Sequence, residues 1–173
     1  MSFSGKFTIT KRDNIQYNYF RMKRKLTGLA LMTFILLGVL VTLIRYGQGI
    51  SVANAGSVGL IAAVSGAALM VAFNLVSVVL RVNKLYKTGK MSDFTVHYLI
   101  DKNGIHAKSE RGDTDFRWNQ ILLARETRDA IYLIAGENRA VVIPKRQIQS
   151  ESELVSLRAL LKKYVAAGRA KVS

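Results

Sequence analysis

Residues 140–150 read AVVIPKRQIQS. Val141, Val142 and Ile143 are β-branched and suit a strand, and Pro144, the single proline of the chain, ends the run. Proline has no N–H to give to a ladder, so it belongs where a strand leaves its sheet. Ser150 stands three residues before Glu153, the spacing of a capping box, which opens a helix. Leu154, Leu157, Leu161 and Tyr164 share one face of that helix, and Gly168 supplies a stop. The stretch is a strand-to-helix joint, and Lys145 and Arg146 read as solvated charges beside it, not as the grip of a ligand site.

Upstream of the joint the apolar residues alternate. In DFTVHYLID, Phe94, Val96, Tyr98 and Ile100 point one way while Thr95, His97 and Asp101 point the other. Asn103-Gly104 is a strong hairpin signal and predicts a two-residue type I′ turn, with Lys102 opposite Ile105 and Ala107 continuing the inner face. In that register His106 faces Asp101, His97 faces Glu110, and the two histidines stand about 13 Å apart along the strands. They are too far apart to share a metal ion. Further strands are expected at 114–117, 121–127, 130–135 and 139–143. Their turns would lie at Gly112-Asp113, Arg128-Asp129 and Gly136-Glu137-Asn138. Gly89-Lys90-Met91-Ser92 marks the start of this domain, which spans 91–168. A six-stranded antiparallel meander closed by one C-terminal amphipathic helix has the layout of a pleckstrin-homology-like split barrel. Trp118 reads as an anchor in its core or at its edge.

The rest of the chain is apolar in a different way. The 173 residues carry 26 Lys+Arg against 11 Asp+Glu, a balance that in a soluble protein would suggest nucleic acid. The mean hydropathy of +0.17 argues against that class. Residues 26–44 hold no charge, nor do residues 47–80, and about 20 apolar residues cross a bilayer as a helix. Two spans are expected, at about 26–44 and 52–80, in a hairpin covering 26–80. Ala53-Asn54-Ala55 resembles a signal-cleavage site, but the first apolar run is too long and ends too early for one. Lys6, Lys11, Arg12, Arg21, Lys23, Arg24 and Lys25 precede the hairpin, and Arg81, Lys84, Lys87 and Lys90 follow it. The connection at 45–49 holds only Arg45. The positive-inside rule therefore places both termini in the cytoplasm, and the positive excess needs no nucleic acid to explain it. The chain has no cysteine, hence no disulfide and no thiolate metal site.

Ala55, Gly59, Ala63 and Ala67 recur every four residues on the second span, a face that lets helices approach closely in lipid. The first span of the same chain is the expected partner, with a homo-oligomer second. Residues 1–25 form a basic segment with a short strand at KFTIT and a helix showing Ile15, Tyr19 and Met22 on one side. Its block Arg21, Lys23, Arg24 and Lys25 would meet anionic headgroups. Few basic residues line the first hairpin loop, where Lys102 sits beside Asp101. Lys108 and Arg111 are offset by Glu110, Asp113 and Asp115, which speaks against specific headgroup binding by the domain.

FRWNQI at 116–121, ETRDAIYLI at 126–134 and AVVIPKRQI at 140–148, taken with the two spans and the FTITKRDNIQYNYF start, resemble the YcxB-like family of bacterial membrane proteins. That resemblance implies a pleckstrin-homology-like cytoplasmic domain and supplies no catalytic residues. The expected fold class is an α+β membrane protein: a two-helix transmembrane hairpin, then an antiparallel β-sheet domain closed by the C-terminal helix. No GxSxG, P-loop, HExxH or convergent carboxylate pair is present, so neither an enzyme nor a cofactor is expected. The functional expectation is a multi-pass protein of the bacterial cytoplasmic membrane that docks a protein partner. A small accessory or toxin-neutralising subunit of a membrane assembly is the alternative.

Overall fold

The two uncharged stretches lie in long helices, α1 (Lys11–Gly47) and α2 (Val52–Lys87). The computed structural model describes residues 2–136, 139–166 and 168–172, with every side chain in them except that of Arg24. Residues 25–47 of α1 and the whole of α2 are long and apolar enough to cross a membrane. The chain divides into two units. One is Asn18–Thr88; the other joins Met1–Tyr17 to Gly89–Ser173.

The second unit holds two sheets. β1 (Phe3–Ile9), β2 (Phe94–Ile100), β3 (Ile105–Ser109) and β4 (Gly112–Phe116) form an antiparallel sheet in the order β1-β2-β3-β4. β5 (Leu123–Glu126), β6 (Ala130–Ile134), β7 (Ala140–Pro144) and the short β8 (Ala170–Lys171) form the other, in the order β7-β6-β5-β8, with β8 parallel to β5. A 3-10 turn at Trp118–Gln120 separates the two sheets, so the expected single meander is divided there. α3 (Glu151–Tyr164) follows β7. The fold is α+β: two long apolar helices, a β-sheet region and a C-terminal helix.

In sequence, 1–25 stands apart from 91–168; in structure it is shared out. Phe3, Phe7 and Ile9 alternate with polar residues and bury one face of β1. That strand pairs with β2 from Phe3↔Ile100 to Ile9↔Phe94, so the edge that β2 would otherwise leave open is covered. The helical hairpin is thus inserted between the first two strands of one sheet. From Lys11 the chain is already helical, and α1 runs without a break into its apolar segment.

The expected type I′ turn does not form, because Asn103 does not take the positive φ that it requires. Residues 101–104 make a wider connection, flanked by the pair Ile100↔Ile105. The Asp101 carboxylate accepts hydrogen bonds from the Asn103 N–H at 2.7 Å and the Gly104 N–H at 3.2 Å, an Asx turn that satisfies the loop backbone. Gly104 is needed for space as well as for its φ of 153°: a Cβ there would overlap the Phe116 carbonyl oxygen. The expected turn residues Glu137 and Asn138 lie outside the described residues. α3 stops at Tyr164, short of Gly168, and the positive φ of Gly168 turns the chain toward β8. The Ser150 cap is present, its hydroxyl accepting from the Glu153 N–H at 3.2 Å. Leu154, Leu157, Leu160 and Leu161 cover a core shared with Ile100, Ile105, Ile131, Leu133 and Ile143.

Candidate functional site

Three consecutive residues of the joint reach three different parts of its unit. They form a 3-10 turn, Lys145–Gln147, directly after Pro144. Arg146 donates from Nη1 to Asp13 Oδ1 at 2.5 Å and from Nη2 to Asp13 Oδ2 at 2.7 Å. Lys145 Nζ donates to Glu126 Oε1 at 2.6 Å on β5. Gln147 exchanges two hydrogen bonds with the Thr8 backbone of β1, at 2.7 and 2.8 Å, as a neighbouring strand would. The expectation that Lys145 and Arg146 are solvated charges is therefore corrected: both are held in ion pairs with buried carboxylates.

Asp13 is the residue that sequence reasoning missed. It is 1 % exposed, the only buried charged residue among those described. Thr10 directly precedes α1, and Asp13 Oδ2 accepts from both the Thr10 N–H and the Thr10 hydroxyl at 2.8 Å. Burial pushes the carboxyl up, but the bidentate Arg146 and the two Thr10 donors outweigh it and hold Asp13 below the ordinary value. The same pairing raises Arg146. Burial, followed by the charges of Asp13 and Asp129, pushes the nearby Tyr132 phenol up to about 12. Thr10-x-x-Asp13 has the same spacing as Ser150-x-x-Glu153, and that was the available signal.

Glu126 gathers a second set of charges. Its side chain is 5 % exposed, and Arg158 of α3 meets it with Nε at 3.0 Å and Nη2 at 2.7 Å. Arg158 Nη1 also reaches Glu151 at 3.1 Å. Trp118 donates its indole N–H to the Asp101 carbonyl at 2.9 Å and stacks on Tyr164, with ring centroids 5.3 Å apart. It ties the β2–β3 turn to α3, which makes it an anchor at the edge of the core.

The histidines are closer than expected. Leu99 pairs with His106 and His97 with Lys108, so the two rings are one diagonal step apart on the outer face of the sheet. His106 Nδ1 contacts Asp115 at 2.7 Å, and its Nε2 lies 3.9 Å from Asp101. His97 faces Lys108 and not Glu110. Among the described residues no group of three or more His, Asp or Glu is placed to hold a metal ion. Lys108 is paired with Asp113 across β3 and β4. Arg111 lies 4.0 Å over the Phe94 ring and donates to Ser92.

In the helical unit Ala55, Gly59 and Ala63 are buried and Ala67 is half-buried. A Cβ on Gly59 would overlap Thr42 Oγ1 and lie 2.7 Å from the Gly38 carbonyl oxygen, and Gly38 in turn faces Ala63. The small face of α2 is therefore packed against α1 of the same chain. At the other end of the pair, Tyr19 Oη donates to the Leu75 carbonyl at 3.2 Å. Arg21, Lys23 and Lys25 are exposed along α1, and the Arg24 side chain lies outside those described.

Residues 100–161 match the family model described as YcxB-like protein. The match runs from the end of β2 into α3, across Trp118 and the whole joint, and over that stretch the chain is similar to YcxB-like proteins. No curated protein and no solved structure was found to match.

Proposed function

We propose that this YcxB-like chain is a non-enzymatic, membrane-anchored interaction module. Its helical hairpin crosses the bacterial cytoplasmic membrane twice, and its pleckstrin-homology-like unit docks a protein partner in the cytoplasm. The observation that carries this reading is the insertion of the hairpin between β1 and β2. Strands that pair with each other lie on one side of any membrane, so the segments entering and leaving the hairpin share a side. The excess of Lys and Arg flanking the hairpin makes that side the cytoplasm. Arg21, Lys23, Arg24 and Lys25 contribute attraction to anionic headgroups, about 1 kcal/mol each near the surface.

Two sheets of four strands and a closing helix support the pleckstrin-homology-like description, with β1 supplied from before the hairpin. The charged side chains of the joint are spent on internal ion pairs, which leaves a sheet edge as the docking element. β4 ends its sheet, and Gly112–Asp115 are exposed. An extended segment of a partner can add to such an edge through main-chain hydrogen bonds.

Cysteines introduced at Gln48 and Lys102 test the topology: an impermeant reagent in intact cells labels position 48 and spares 102. Labelling of 102 with protection of 48 inverts it. For docking, full-length protein is purified in mild detergent beside Asp113→Pro, which removes an N–H that points away from β3 and so blocks the edge. A partner lost selectively from the variant supports the reading, and identical co-purifying proteins from both refute it.

A further inference from the structure

We infer that a second copy of this chain packs against α2 along Leu69, Phe73, Val76 and Leu80, forming a parallel dimer seam. The inference rests on the hairpin crossing a membrane. Two helices of unequal apolar length make the case. The uncharged run of α1 begins after Lys25, whereas that of α2 continues to Leu80. The hydrogen bond from Tyr19 to the Leu75 carbonyl sets these regions side by side. At the level where α1 carries Arg21, Lys23 and Lys25, α2 is still apolar.

The hydrocarbon core accommodates about 20 helical residues, so measured from Val52 it ends at about Val71. Leu80 lies nine residues further, about 13 Å along the axis. The headgroup layer is only about 5–8 Å deep. Val76 therefore lies among the headgroups and Leu80 beyond them, with no lipid tails to cover either. Leu69, Phe73, Val76 and Leu80 are 71, 72, 54 and 62 % exposed, so α1 leaves this face of α2 open.

Spacings of four, three and four residues are those of a coiled-coil seam. A second copy inserted in the same orientation carries the same stripe at the same depth, and the two stripes meet about a two-fold axis along the membrane normal. No charged residue interrupts the seam. Asn83 and Lys87 occupy the next two seam positions, and repulsion between the two copies of Lys87 ends the contact beyond Leu80.

The chain has no cysteine, so single cysteines report on the seam in the full-length protein. Val76→Cys is oxidised in native membranes beside Ile61→Cys, which is exposed on another face of α2. A disulfide-linked dimer at 76 several times more abundant than at 61 is expected. Its yield should fall when Phe73→Ala and Leu80→Ala are added. Alkaline carbonate extraction of the same membranes separates the two ideas. Protein that resists extraction yet crosslinks equally at 61 and 76, or at neither, overturns the seam alone. Protein released by carbonate overturns the membrane reading and the seam with it.

Discussion

Replacing Arg146 by Gln removes the ion-pair partner of the buried Asp13. Asp13 would keep the Thr10 N–H and hydroxyl and a favourable place in the first turn of α1, worth about 0.3–1 kcal/mol. Breaking a buried ion pair from one side costs about 3–5 kcal/mol because the other charge is left unpaired. The remaining donors put this case at the lower end, about 3 kcal/mol, or a fall of roughly 10–20 °C in Tm for a unit of this size. Asp13→Asn leaves only Arg146, whose side chain is 44 % exposed and can turn to water, so its cost is smaller, about 1–2 kcal/mol. The double mutant should be more stable than the sum of the singles implies. The pH dependence has a definite sign. Asp13 titrates below its ordinary value of 3.8 in the fold, so its contribution is present above 3.8 and lost as pH falls through the native value. Without Arg146, burial pushes the carboxyl up, and protonation then relieves the mutant. The gap between wild type and Arg146→Gln is widest at neutral pH and narrows on acidification. Fluorescence of the single Trp118 during thermal unfolding of the full chain in detergent measures it. A stability within about 0.5 kcal/mol of wild type, or a gap indifferent to pH, refutes the reasoning.

Gly59→Leu drives a side chain into Thr42 and Gly38, so hydrogen-exchange protection of α2 amides should fall, whereas Leu60→Ala, at an exposed position, should leave it unchanged. Leu157→Asp places a carboxylate where exposure is 0 %; a cost of several kcal/mol, read as loss of the urea transition of the folded unit, is expected. Residues 89–173 alone lack β1 and Asp13 and should give a poorly dispersed NMR spectrum. Joining 1–17 to them by a Gly/Ser linker should restore dispersion, and a well-dispersed spectrum from 89–173 alone would contradict the shared sheet.

The two apolar helices, β2, β6, β7 and the cap of α3 were legible because each rests on a local pattern: a run without charge, an alternation, a Ser three residues ahead of a Glu. The pairing of β1 was not, since its partner is separated from it by the entire hairpin and no local period marks which strand it joins. The clasp was hidden for the same reason. Asp13 looks like one acid among surface bases, Arg146 looks like one of two loop charges, and only the docking of the joint beside β1 brings them within 2.7 Å. The Asn103-Gly104 turn failed for a different cause: Asp101 competes for the loop N–H groups through its side chain and stabilises a wider connection.

Insertion of the hairpin into a sheet also orders events. β1 is made first but has no partner until β2 follows α2, and with β2 unpaired the buried face of β1 has nothing to cover it. Closing a contact across so long a segment is entropically costly unless the intervening chain is already compact. The packed face of Ala55, Gly59 and Ala63 supplies that compactness, because an antiparallel helix pair returns the chain to the end from which it left. The Gln147 bonds to Thr8 and the Arg146–Asp13 pair tie the late part of the chain back to its start, since β7 and the joint lie downstream of every other strand but β8. The joint therefore fastens β1 and the start of α1 to the later strands. Each of its charges is held by a carboxylate of the same unit.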